Sequence, residues 1–125
     1  AQGTNIQLYV STFYQEGGSP EFDEGIKAWL NEDATAMTNN GGNDTIAAVT
    51  AMGYDAYYVA LEALKAAGST DPAAVKAALP GVTYTGVTGD IAFDDIGDAI
   101  RDTAYIKVAD TANNAWALET MQKAG

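Results

Sequence analysis

The run from Ala51 to Gly68 constrains the fold of this chain more than any other stretch of its sequence. From Thr45 onward, apolar side chains recur every three to five residues, the spacing that places them on one face of an α-helix. They are Ile46, Val49, Met52, Tyr57, Leu61 and Leu64. Gly68 follows them at the position where glycine commonly ends helices. We therefore predict a long helix from near Thr45 to Gly68, with a fresh turn starting at Gly53.

Two shorter helices are predicted from a second signal, a capping side chain followed by proline. Ser19 and Pro20 open the first, and Asp71 and Pro72 open the second, which ends at Pro80. The first helix has an apolar face that we expect to be core: Phe22, Ile26, Trp29 and Leu30. Residues 38–44 are rich in Asn and Gly, which predicts a loop between helices rather than a domain linker.

Strands are predicted on both sides of the helices. Residues 6–13 alternate apolar and polar side chains. Beyond Pro80 the apolar residues recur at even spacing, and further strands are predicted over 104–108 and 115–118. A strand, three helices and a small terminal β-sheet indicate an α/β fold. At 125 residues, with 47% hydrophobic, we expect a single segment with one modest core.

The charge balance excludes several classes of partner. Asp and Glu total 17 against 6 Lys and Arg, which gives a net charge of −11. A polyanion would be repelled, so we expect no nucleic-acid partner and no binding to anionic membrane surfaces. No apolar stretch approaches the roughly 20 residues that span a bilayer, and no basic-then-apolar leader opens the sequence. We expect a soluble chain whose targeting segment has been removed or lies upstream.

Two missing residue types argue against catalysis. The sequence has no His, the commonest general base near neutral pH and the usual zinc ligand. It also has no Cys, which excludes disulfides and thiolate chemistry. We expect no enzymatic activity, no catalytic residue, no metal and no cofactor.

Two polar turns suggest ligand sites, and each has a structural alternative. Asp94, Asp95 and Asp98 surround Gly97, but a calcium loop needs more ligands at regular alternation and a terminal Glu. A solvated hairpin turn is the favoured interpretation. The segment 86–89, Gly-Val-Thr-Gly, lacks the Lys and the following helix of a phosphate-binding loop. Close packing of the backbone explains it better.

Aromatic residues suggest a small-molecule cleft, since such clefts are lined by rings with a few polar groups. The set is Tyr9, Phe13, Tyr14, Tyr54, Tyr57 and Tyr58. Taken singly, each ring is more typical of a core. We single out Tyr54 and Asp55 as ligand-binding candidates, because at the start of a long helix a carboxylate can meet an ammonium or a hydroxyl. The alternative is that Asp55 stabilises the positive end of the helix.

Three motifs together resemble one protein family. Residues 53–56 read Gly-Tyr-Asp-Ala, residues 67–72 read Ala-Gly-Ser-Thr-Asp-Pro, and Gly-Val-Thr-Gly precedes Phe-Asp-x-x-Gly-Asp at 93–98. They resemble the C-terminal third of type I periplasmic solute-binding proteins, the branched-chain amino acid receptors of ABC transporters. The similarity covers roughly residues 7–109.

The resemblance implies a division into two lobes. In this family two α/β lobes enclose the ligand, and three hinge strands connect them. Residues 1–85 would then supply a hinge strand and the helices that complete one lobe, and residues 86–125 would cross to the other. A residue near the Tyr of Gly-Tyr-Asp-Ala lines the cleft in the family. The resemblance therefore implies a ligand contact at Tyr54, with Asp55 as a weaker extension.

The resemblance also implies a function and a location. The chain would be part of the solute-binding component of an ABC transporter, with an amino acid as ligand and a permease as partner. It would be periplasmic or extracellular, lipid-anchored through a segment not present here. The rivals are a sensory or regulatory ligand-binding domain of the same fold and an interaction module with no small ligand. The neighbours of the parent gene, or domains fused to the parent protein, would separate the transporter component from the sensory domain.

The sequence departs from the family in two respects. A whole receptor is much longer, and the part absent here carries the residues that grip the α-carboxylate and α-ammonium of the ligand. The usual Tyr-Gly-x-x-Pro before the long helix is replaced by residues 38–44. A segment with apolar faces left uncovered is prone to association. We therefore expect the truncated chain to form a homodimer.

Overall fold

The computed structural model describes residue 3 and residues 6–123, and it confirms the α/β class. Strand β1 (Tyr9–Thr12) is followed by four helices: α1 (Pro20–Glu32), α2 (Ala34–Asn39), α3 (Ala48–Ala67) and α4 (Pro72–Ala78). A 3-10 turn (Leu79–Gly81) leads into the remaining strands: β2 (Tyr84–Gly86), β3 (Gly89–Phe93), β4 (Ala99–Ile100), β5 (Thr103–Asp110) and β6 (Ala115–Lys123).

The prediction of three helices is wrong by one, because Asp33 separates α1 from α2. Its backbone is extended, with φ −109° and ψ 103°. Its Oδ1 accepts hydrogen bonds from the N–H groups of Thr35 (2.8 Å) and Ala36 (2.9 Å). A side chain that satisfies free amides in this way begins a new helix. The predicted stop of α3 is confirmed at Gly68, whose φ is 59°.

The strands form two antiparallel sheets rather than one small terminal sheet. β1 pairs with β5, and β5 pairs with β6, in what we call the long sheet. β2, β3 and β4 form a short sheet that packs against α3 and α4. We call α1 to α4 together with the short sheet the helical half. The chain passes between the long sheet and the helical half just after β1 and just before β5.

The predicted boundary at residues 85 and 86 falls within one hairpin. Tyr84 pairs with Ile91 and Gly86 with Gly89, so β2 and β3 stay together in the helical half. The assignment of the two ranges to two lobes stays a prediction.

One face of α3 carries the core of the helical half. Its buried residues recur at every fourth position: Ala51, Asp55, Val59 and Ala63. Ala51 belongs to one apolar cluster with Tyr14, Phe22 and Ile46. Val59 and Ala63 belong to a second cluster with Val82 and Ile91. Asp55 lies between the two clusters along the helix and places a carboxylate in an otherwise apolar stripe.

The predicted core face of α1 is confirmed at Phe22 and Leu30, which are buried, and Ile26 packs partly buried against the first cluster. The prediction is wrong for Trp29, which is 54% exposed. Trp29 lies in the last turn of α1, just before α2. None of the residues of α2 is buried, so α2 does not form a core against which Trp29 could pack.

Candidate functional site

Five rings in contact form an aromatic row that runs along α3. Tyr14, just after β1, meets Phe22 of α1 with ring centroids 5.4 Å apart. Phe22 is 4.9 Å from Tyr54, Tyr54 is 5.0 Å from Tyr58, and Tyr58 stacks on Tyr84 of β2 at 6.0 Å. These separations are typical of favourable aromatic pairs. The row therefore ties the loop after β1, two helices and the short sheet together.

The structure brings together part of the aromatic set expected from the sequence. Tyr14, Tyr54 and Tyr58 are in the row, and Tyr57 packs edge-on against Tyr58 at 5.4 Å. Tyr9 and Phe13 lie outside it. Tyr9 is on β1 and its hydroxyl donates to Gln7 Oε1 at 3.4 Å. Phe22 and Tyr84 were missed as members, because they come from distant segments and sequence spacing gave no signal of their contact.

Tyr54 presents an open edge at the middle of the row, with 39% of its surface exposed. Its hydroxyl donates a hydrogen bond to the Tyr58 hydroxyl at 3.4 Å. This bond, with partial burial, raises the pKa of Tyr54 to about 12. The phenol is therefore uncharged at physiological pH. It can pack against an apolar ligand group and hydrogen-bond a polar one.

Asp55 has no exposed surface and faces away from the open edge of Tyr54. Its Oδ1 accepts from the Val87 N–H at 2.9 Å. Its Oδ2 accepts from the Thr88 N–H at 2.8 Å and from Thr88 Oγ1 at 2.5 Å. Buried carboxylates need partners of this kind. The carboxylate thus holds the β2–β3 turn against α3.

The position of Asp55 in α3 corrects one expectation. The helix begins at Ala48, so Asp55 is two turns inside it rather than at its start. The alternative that Asp55 stabilises the positive end of the helix is wrong, because that effect is confined to the first turn. Ligand contact by Asp55 stays a prediction.

Gly86 confirms close packing in the Gly-Val-Thr-Gly segment. A Cβ built there would lie 2.5 Å from Asp55 Oδ2 and closer still to Cγ and Oδ1. Only glycine leaves room for the carboxylate. Gly89 closes the two-residue turn with φ 97°, a conformation that favours glycine. The motifs around 54 and 87 are therefore the two sides of one contact.

A cavity of about 400 Å³ lies between the helical half and the long sheet. Gln15, Glu16 and Thr45 line it on one side, and Lys107 and Trp116 on the other. Glu16 Oε2 forms an ion pair with Lys27 Nζ at 3.0 Å, and its Oε1 accepts from the Ile46 N–H at 2.6 Å. The Lys107 ammonium has no hydrogen-bond or ion-pair partner among the described residues. Tyr54 does not line this cavity.

The acidic segment at 94–98 is the hairpin turn that the sequence favoured. Asp94 Oδ1 accepts from the N–H groups of Ile96 (3.0 Å) and Asp98 (2.8 Å), and Gly97 has φ 93°. Within residues 6–123 and residue 3, no cluster of three or more carboxylates is arranged to hold a metal ion. None of the described helices combines the length and apolar character needed to cross a membrane.

Comparison with known proteins identifies the family. The family model of the periplasmic binding proteins matches residues 3–113. A comparison with curated proteins gave no match. Among solved structures, the chain is similar to the crystal structure of a leucine binding protein from Thermotoga maritima, with a TM-score of 0.63 and 25% identity over 93% of this chain. The chain spans 31% of the length of that protein.

These matches confirm the type I resemblance that the three motifs predicted. The family match extends over both the helical half and the first two strands of the long sheet. The chain therefore belongs to the periplasmic binding protein family and is a partial segment of its fold.

Proposed function

We propose that this chain is part of the periplasmic or extracellular solute-binding component of an ABC transporter and that its solute is an amino acid of the branched-chain type. Family membership supports a solute-binding role, and the similarity to a leucine binding protein supports the class of solute. The permease as partner and a lipid anchor outside this segment belong to the same proposal.

The observation that carries the proposal is the cavity between the helical half and the long sheet. Its volume of about 400 Å³ lies in the range of small-molecule sites. It carries the Glu16 carboxylate on one wall and, on the other, the Lys107 ammonium, which has no partner within residues 6–123. The Lys107 ammonium can pair with a solute carboxylate, and the Trp116 indole offers an apolar surface for the solute's side chain, whereas Glu16 is already paired with Lys27 and the Ile46 N–H.

Tyr54 and Asp55 enter the proposal differently. Tyr54 has an open edge and an uncharged hydroxyl, so it can contribute to a cleft wall without rearrangement. Asp55 would have to leave three hydrogen bonds to the β2–β3 turn before it could contact a solute directly. Neither residue lines the cavity, so on the family resemblance alone we expect Tyr54→Phe to lower solute affinity with little effect on stability, whereas Asp55→Asn should lower both.

Tryptophan fluorescence tests the proposal directly. Trp116 lines the cavity and Trp29 lies on α1, so Trp29→Phe leaves a reporter at the cavity alone. Titration with L-leucine should change its emission saturably, and glucose should not. Lys107→Gln should weaken the response. Lys76→Gln, which removes the same charge from exposed α4, is the matched control and should leave it unchanged. No saturable response to any amino acid would refute solute binding at this cavity.

We also propose that the isolated chain forms a homodimer through the long sheet. The sheet exposes apolar side chains on β1 and β6: Tyr9, Val10, Trp116, Leu118 and Met121. Among the strands that the structure describes, β6 is an edge strand, and the backbone groups along such an edge favour pairing with another strand. Native mass spectrometry reports the oligomeric state and any retained small molecule together. A monomer at high protein concentration would contradict the dimer without touching the solute proposal.

A further inference from the structure

Arg101 stands where the chain passes between the two parts of the molecule. It follows β4 of the helical half and comes two residues before β5 of the long sheet. The other passage lies just after β1, where Phe13 follows Thr12. The Arg101 guanidinium carbon is 5.5 Å from the centre of the Phe13 ring, within the range of a cation–π contact. One side chain therefore touches both passages.

The same guanidinium is hydrogen-bonded to the helical half. Arg101 Nη1 donates to Thr88 Oγ1 at 2.8 Å and lies 3.4 Å from the Thr88 carbonyl oxygen. Thr88 Oγ1 in turn donates to Asp55 Oδ2. The hydroxyl thus accepts from a cation and donates to an anion, an arrangement in which each bond strengthens the other. Asp55 and Thr88 are buried, so the chain of bonds ends on a fixed point of α3.

Within the part of the chain that the structure describes, no helix or short-sheet strand has extensive contact with the long sheet. Cavities of about 400 and 450 Å³ lie beside the two passages, and Arg101 and Phe13 line the second of them. Interfaces with such gaps lack the interlocking packing that resists movement. Each passage is a short stretch of backbone, and such stretches are where hinge motions are absorbed.

We propose that Arg101 is a positioning residue that fixes the angle between the long sheet and the helical half, through Thr88 and Asp55 on one side and Phe13 on the other. The motifs around residues 55 and 88 then have a role beyond packing, because they hold Arg101, which fixes the angle between the long sheet and the helical half. An effect on solute affinity would rest on the proposed function, since the 400 Å³ cavity lies between the same two parts.

A distance measurement between spin labels tests this proposal without any ligand. The sequence has no cysteine, so Ala66→Cys on α3 and Glu119→Cys on β6 give two exposed labelling sites. Dilution with unlabelled chain removes distances between copies. We expect a narrow distance distribution for the parent. Arg101→Gln should broaden it and shift its mean, with far-UV circular dichroism unchanged well below the melting temperature.

Matched variants separate positioning from charge and from folding. Arg101→Lys keeps a cation that can reach Thr88 and Phe13, so it should restore part of the narrow distribution. Thr88→Val should reproduce the broadening, and Thr88→Ser should not. Lys76→Gln, with the same loss of charge, should match the parent. The proposal is overturned if Arg101→Gln and Thr88→Val keep the parental width, or if Lys76→Gln broadens it equally. Because no solute is present, failure here is distinct from failure of solute binding.

Discussion

Gly86→Ala should be among the most damaging substitutions of a small residue in this chain. The added methyl group would occupy the space of the Asp55 carboxyl group, 2.5 Å from Oδ2 and nearer to the other carboxyl atoms. Real Cβ atoms do not approach other atoms so closely, so either the turn or Asp55 must shift. Asp55 has no exposed surface, so it cannot move into solvent without disturbing its neighbours.

The cost follows from the bonds that such a shift would break. Asp55 accepts three hydrogen bonds from residues 87 and 88. Each hydrogen bond to a charged group contributes about 1.5–3 kcal/mol, so losing two costs about 3–6 kcal/mol. Alanine also restricts the backbone of the unfolded chain, which stabilises the folded state by about 0.4–1 kcal/mol and offsets part of this cost. We expect a net loss of about 2–5.6 kcal/mol, a large share of the 5–15 kcal/mol typical of a domain.

Urea unfolding followed by circular dichroism measures this loss as a change in the free energy of unfolding. Gly53→Ala is the matched control, because Gly53 lies inside α3 with nothing within 4 Å of an added Cβ. It should stabilise the chain by about 0.5–1 kcal/mol. In a double-mutant cycle, Gly86→Ala should cost much less once Asp55→Ala has removed the carboxylate. If Gly86→Ala changes stability by less than about 0.5 kcal/mol, or the costs simply add, the contact is not what holds the turn.

Two further predictions concern the hydrogen bonds of single side chains. The pKa of Tyr14 lies well above its ordinary value of 10. Burial is the largest cause, and the next is the hydrogen bond that the Tyr14 hydroxyl donates to Asp23 Oδ1 at 2.5 Å. A tyrosine whose pKa is raised by folding stabilises the chain fully below pH 10 and loses that contribution as the pH rises further. Tyr14→Phe should therefore show a smaller loss of unfolding free energy above pH 10, measured by urea titration. An equally steep loss in Tyr14→Phe would contradict this. Asp33→Ala removes the cap that accepts from Thr35 and Ala36 and should cost about 1 kcal/mol of unfolding free energy, whereas Asp33→Ser should keep most of it.

Local signals in the sequence predicted the elements that depend on a few neighbouring residues. Gly68 ended α3 and Pro72 opened α4 where expected, because a left-handed cap and a proline in the first turn are decided by the local backbone. Asp33 carried the same kind of signal, but the apolar spacing of α1 ran up to it and concealed the break. The pairing of β1 with β5 had no local signal, since the partners are separated by the whole helical half.

The candidate site shows the limit of this approach at two adjacent residues. Tyr54 and Asp55 were predicted as a pair because both were expected at the start of the long helix, yet successive residues of a helix point about 100° apart. Tyr54 therefore reaches the open edge of the aromatic row and Asp55 reaches the core. The burial of Asp55 had a signal in the sequence: Ala51, Asp55 and Val59 recur at every fourth position, which places the carboxylate on the buried face of α3. A buried carboxylate requires donors, and a glycine-bounded turn supplies free N–H groups with room for close approach. Asp55 on the buried face of α3 and the turn bounded by Gly86 and Gly89 therefore together predict a contact between the carboxylate and the N–H groups of that turn.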